Sequence, residues 1–152
     1  MKTVNNKKID FVTNFASEQI NKYNLNSWKI KFDYAKRRAG LCDFRKKVIS
    51  LSKYYISYAD IEHIKDTILH EIAHALVGPR QGHNKIWKKT ALSLGCSGTR
   101  CHQLNFIKAK WIISCNNNCF SQERHRRKNG LICRNCNNIV ACFAVTTLGA
   151  FS

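Results

Sequence analysis

The sequence predicts an α+β chain: a small domain of helices on a short sheet, followed by a cysteine-rich metal-binding module. Three observations carry this. Apolar residues recur at helical spacing on both sides of a stretch where they alternate instead. The second helical stretch carries two histidines one turn apart, and four later cysteines fall into two close pairs. At 152 residues the chain has room for one compact domain and an appendage, with the boundary predicted near residue 108 (1–108 and 109–152).

The first element is a helix over 6–24, where Ile9, Val12, Ala16, Ile20 and Tyr23 follow three- and four-residue steps. Trp28, Ile30, Phe32 and Tyr34 then alternate with Lys29, Lys31 and Asp33, the pattern of a half-buried strand. Short β-prone pieces at Leu41–Phe44 and Val48–Ser52, joined through Arg45-Lys46-Lys47, predict a hairpin beside it and so a three-stranded sheet. Asp60 is placed to cap a second helix, with Ile61, Ile64, Ile68, Ile72 and Ala75 on one face. Gly78-Pro79 ends that helix. A further helix runs from about Asn84 to Leu94, with Trp87, Ala91 and Leu94 on one side and Gly95 as its stop. Past Lys110 cysteine, asparagine and arginine dominate, although the last sixteen residues, NNIVACFAVTTLGAFS, are more apolar than a small metal module needs.

Composition limits the partners. Twenty-six Lys+Arg stand against 9 Asp+Glu, a net charge of +17, and after His74 Glu123 is the single acid. A field of that sign attracts polyanions, nucleic acid first among them. There is no run of eighteen apolar residues and no apolar stretch behind the basic N-terminus. A membrane span and a secretory signal are therefore not expected, and the expected setting is cytoplasmic or nucleoid-associated. Eight cysteines in such a setting are more readily metal ligands than disulfides.

The sharpest motif is His70-Glu71-Ile72-Ala73-His74. At 100° per residue the two histidines sit one turn apart, away from the isoleucine stripe, and can share one metal ion. Glu71 between them is angled toward a metal-coordinated water, as a general base for hydrolysis requires. A catalytic zinc takes three protein ligands and keeps one open position. His83 is the natural third, because Gly78-Pro79 and Gly82 let the chain turn back; His102 is a weaker alternative. His63, two turns upstream and roughly 10 Å along the axis, is too far to share the ion.

Cys115-x3-Cys119 and Cys133-x2-Cys136 suit a tetrahedral structural zinc of the ribbon type. Between the pairs lie Arg124, His125, Arg126, Arg127 and Lys128; just before the first come Lys108, Lys110 and Trp111. Cations for phosphates beside an aromatic face suit single-stranded or distorted nucleic acid. Cys42, Cys96, Cys101 and Cys142 read as reduced thiols, mostly buried.

HEIAHALVGPRQGHNKIWKK, preceded by RRAGLCDFRKKVISLSKYYI and followed by the four cysteines, resembles the SprT-like zinc metalloproteases, the family that includes Spartan, a protease acting on DNA–protein crosslinks. The resemblance implies a zincin-type fold with one catalytic zinc on His70, His74 and His83, Glu71 as general base, and a structural zinc on Cys115, Cys119, Cys133 and Cys136. It also implies a substrate cleft along an edge strand, for which Val48–Ser52 is the expected segment. The function expected is a monomeric DNA-associated metallopeptidase acting on protein bound or crosslinked to DNA. A non-catalytic nucleic-acid-binding zinc protein, such as a transcription-associated factor, and a hydrolase indifferent to DNA are the rivals. Tyr54, Tyr55, Tyr58 and His102 are open candidates for stabilising the transition state.

Overall fold

The computed structural model describes residues 6–99, 106 and 108–145. The chain forms two compact units, Met1–Phe106 and Ile107–Ser152. In the first, helix α1 (Asn6–Lys22) buries Val12, Ala16 and Ile20, one residue per turn. Strand β1 (Lys29–Asp33) follows, then β2 (Gly40–Asp43) and β3 (Val48–Ser52). The sheet order is β1-β3-β2, with β1 parallel and β2 antiparallel to β3.

This order corrects one expectation. Val48–Ser52 is the central strand, not the edge, and all five of its residues are buried. Val48, Ile49 and Leu51 are buried together with the small polar Ser50 and Ser52, as suits a strand covered on both faces and paired on both sides. The edge on that side is β2, whose residues are half-buried or exposed.

Helix α2 (Lys53–Tyr58) leaves β3 directly, with Ser52 as its N-cap accepting from the Tyr55 N–H. Six residues are too few to show a helical period, so it has no sequence signature. Helix α3 (Ile61–Val77) starts at Asp60, whose side chain accepts from the His63 N–H. Helix α4 (Lys85–Ser93) starts at Asn84, which accepts from both Ile86 and Trp87. The main core gathers Val12 and Ala16 of α1, Ile49 and Leu51 of β3, Tyr55 and Ile56 of α2, and Ile64, Ile68 and Ile72 of α3.

The second unit is a sheet of order β5-β4-β6: β4 (Trp111–Cys115), β5 (Ser121–Arg124) and β6 (Val140–Ala144), both neighbours antiparallel to β4. Strand β6 accounts for part of the apolar C-terminal stretch, since Val140 is buried in this unit's core and Cys142 packs against it. Among the described residues no helix is long and apolar enough to cross a membrane.

Candidate metal centres

Helix α3 sorts its side chains by chemistry. Ile64, Ile68 and Ile72 enter the main core, while Leu69 and Ala73 pack on Trp87 and Ala91 of α4. The remaining stripe, from Glu62 through Asp66 and His70 to His74, lines a cleft of about 1170 Å³. Its opposite wall is β2 and the residues leading into it, Arg37 to Cys42, and Gly78, Pro79 and His83 close one end.

After α3 the backbone reverses at Gly78, whose φ of 88° lies where only glycine is comfortable. His83 returns so that its Nε2 lies 3.0 Å from Nε2 of His70 and 3.1 Å from Nε2 of His74. Unprotonated ring nitrogens this close repel unless a cation sits among them. The edge of a tetrahedron with Zn–N bonds near 2.0–2.1 Å is about 3.3 Å, so the three donors fit such an ion. Burial, then the neighbouring imidazoles, push His70 down to about 4, and the same causes push His74 to about 4. Both rings are therefore neutral at neutral pH, the state that ligates metal.

Trp87 forms the floor of this group. Its ring centroid lies 4.6, 5.2 and 4.5 Å from those of His70, His74 and His83, and it is 1% exposed. The sequence placed Trp87 on the packing face of α4; only the fold puts it under the histidines.

Glu71 is 8% exposed, a rare placement for a lone carboxylate. It lies against β2, where a Cβ on Gly40 would come within 2.7 Å of its Oε1 and 2.8 Å of its Cγ. Burial pushes its pKa up to about 7, against the opposing pull of Arg38 and a hydrogen bond donated by the Cys42 N–H. Arg38 is itself held by Asp33 at 2.8 Å and by the Ser50 hydroxyl at 3.3 Å. The Cys42 thiol, in the same wall, is pushed up to about 12 by burial and the nearby carboxylates, so it stays protonated.

The tyrosine candidates separate. Tyr55 lines the cleft, but it is fully buried, its hydroxyl donating to the His63 carbonyl at 3.0 Å and accepting from Thr67 at 2.9 Å. Tyr54 packs edge-on against Tyr34, and Tyr58 is exposed; neither lines the cleft. His63 pairs with Asp60 at the start of α3. His102 and Cys101 lie outside the described residues.

In the second unit the sulfurs of Cys115, Cys119, Cys133 and Cys136 all lie within 4.8 Å of one another, so this group can hold a metal ion. A left-handed asparagine adjoins the second cysteine of each pair, Asn118 (φ 55°) before Cys119 and Asn137 (φ 53°) after Cys136. The Asn138 amide donates to Asn117 at 3.0 Å and ties the two turns together. Burial raises the Cys115 thiol, but N–H groups of Asn117 and Cys119 and the adjacent thiols outweigh it and bring it down to about 7.

Strand register sets Trp111 opposite Arg124, and the Arg127 guanidinium lies 5.3 Å over the Trp111 ring. Lys108, Lys110, Arg126, Arg127 and Lys128 are all exposed. Arg124 is half-buried, donating to Gln122 at 2.7 Å.

These features define an α+β domain with a three-histidine group and a buried glutamate in an open cleft, joined to a four-cysteine module of the zinc-ribbon kind. The family model described as "SprT-like family" matches residues 9–110. The chain belongs to the SprT-like family. A comparison with curated proteins returns no match.

Proposed function

We propose that this protein is a zinc-dependent peptidase that works on protein bound or crosslinked to DNA. The observation that carries the reading is the convergence of three imidazoles beside the buried Glu71 carboxylate in a cleft open along an edge strand. A structural metal site has no use for a carboxylate in that position or for an open cleft, which disfavours the non-catalytic alternative.

His70, His74 and His83 would hold the ion, and zinc, when bound there, polarises a water and the scissile carbonyl. Glu71 takes the proton from the attacking water and passes it to the departing amine nitrogen. Gly40 and the Cys42 N–H hold the Glu71 carboxylate in place. Strand β2 offers its free edge to an extended substrate chain, which pairs by main-chain hydrogen bonds and so with little sequence preference.

Gly40 makes this arrangement testable. Gly40→Ala puts a methyl group into contact distance of Oε1 and Cγ and displaces the carboxylate. The expected result is a loss of turnover of about 10²-fold, as a displacement near 1 Å produces, with zinc content unchanged. Equal turnover in the two proteins would show that Glu71 is not held by this contact.

The basic ribbon would bring the cleft to DNA. Lys108, Lys110, Arg124, Arg126, Arg127 and Lys128 supply the phosphate contacts, and Trp111 supplies a face for a base. A second zinc, on the four cysteines, stabilises this unit. The test measures cleavage of a DNA-binding protein with and without single-stranded DNA, using wild type and Glu71→Gln. Wild-type cleavage accelerated by DNA is expected, with the variant inactive in both conditions. Equal cleavage by both proteins would remove the peptidase reading, and wild-type cleavage indifferent to DNA would remove the coupling.

A further inference from the structure

One polar group in the cleft has no role in the chemistry above. Asp66 lies one turn before His70 on α3 and faces the same cleft. Its carboxylate grips the segment that follows α4. Oδ1 accepts from the Ser97 N–H at 2.5 Å, and Oδ2 accepts from the Ser97 hydroxyl at 2.9 Å. Ser97 Oγ accepts in turn from the Thr99 N–H at 3.3 Å and lies 2.9 Å from the Thr99 hydroxyl, closing a tight turn. The Thr99 carbonyl accepts a hydrogen bond from the His70 ring. Since His70 Nε2 faces His83, the nitrogen that donates is Nδ1.

We propose that Asp66 is a positioning residue for the metal centre: through Ser97 it holds the Thr99 carbonyl that fixes the tautomer and ring angle of His70. The proposal rests on the metal-binding reading of the three histidines. A neutral imidazole carries one N–H, and an acceptor at Nδ1 keeps it there, leaving the Nε2 lone pair for the ion. His70 is half-buried against Trp87 and the other histidines, and the Thr99 carbonyl supplies that acceptor from the protein itself. The segment that supplies it is exposed at Ser97 and Thr99 and belongs to no helix or strand. Cys96, 3% exposed and packed with Leu69, Ala73 and Trp87, fixes the start of this segment. The carboxylate of Asp66 fixes its middle, from the same helix that bears the ligand. One rigid element thus carries both His70 and the anchor of its orienting group.

The test is a Co(II) titration of the full chain in place of zinc. Thiolate-bound Co(II) gives intense near-ultraviolet charge-transfer bands and histidine-bound Co(II) does not, so the two sites are read separately. Asp66→Ala is expected to weaken the histidine site by about 10- to 100-fold and to shift its visible bands, with the thiolate site unchanged. Asp66→Asn keeps an oxygen acceptor for Ser97 and is expected to recover most of that loss. An unchanged histidine site in Asp66→Ala overturns the proposal. So does Asp66→Asn as weak as Asp66→Ala, or a loss in Asp66→Ala of hydrogen-exchange protection in α3 and β3, which marks unfolding of the first unit. If the wild-type protein takes up Co(II) at the thiolates alone, the metal reading of the histidines fails and the proposal fails with it. A loaded wild type with an indifferent Asp66→Ala removes the positioning role and leaves the metal site standing.

Discussion

Glu71→Gln is expected to lower peptide hydrolysis by about 10² to 10⁴-fold, the usual contribution of a positioned general base, while leaving zinc content at the wild-type level. Glutamine has the shape of glutamate, and its oxygen can still accept from the Cys42 N–H, so the contact with β2 survives. The proton-accepting function does not. The variant is also expected to melt no lower than wild type in the metal-free state. Burial raises the folded-state pKa of Glu71 from 4.5 to about 7, so ionising it opposes folding. With a raised carboxylate pKa the unfolded chain loses its proton first, and stability falls as pH climbs from about 4.5 through about 7. The neutral glutamine has no such loss. Thermal unfolding of both proteins at pH 5 and pH 8 checks this: the wild type should lose stability relative to the variant at pH 8. A variant that keeps full turnover would remove Glu71 from the mechanism.

Cys133→Ser is expected to release one equivalent of zinc and unfold the ribbon while the first unit stays folded. Among the described residues the buried core of the second unit consists of Ile113, Cys115, Cys133 and Val140, so half of it is cysteine of the four-thiol group. Four residues bury too little apolar surface to offset the entropy of ordering some forty. A structural zinc contributes roughly 10–16 kcal/mol in comparable small modules, and here it would outweigh every other stabilising contribution. Loss of NMR dispersion for β4 to β6, with hydrogen-exchange protection retained in α3 and β3, is the expected signature. Affinity for single-stranded DNA should fall with it, because Trp111 and Arg127 are brought together by the β4–β5 pairing. Unchanged metal content in Cys133→Ser would exclude a zinc held by these thiols.

The histidine and cysteine groups were largely legible because they are local. The period of α3 alone puts His70 and His74 on one face, and Asp60 and Gly78 mark its ends. His83 was legible at one remove, through the glycines that allow a reversal. The two cysteine pairs were equally plain, since each is a short turn that carries its own geometry. Helix α2 was not legible, being too short for a period, and neither was the floor formed by Trp87. A tryptophan at helical spacing looks the same whether it packs on a leucine or beneath three histidines.

Which residues can ligate and which can accept a proton is written in the chain itself, because those capacities follow from side-chain type and from spacing within one helix or one turn. What surrounds them is a matter of packing between elements. Alternation identifies a strand but not its neighbours, so the order β1-β3-β2 follows from which strand can be buried on both faces, and that moved the cleft edge from Val48–Ser52 to Gly40–Asp43. Glu71 meets Gly40 and Cys42 some thirty residues away in sequence, and His70 meets Thr99 nearly as far in the other direction. Such contacts join elements distant along the chain, where no local period records them.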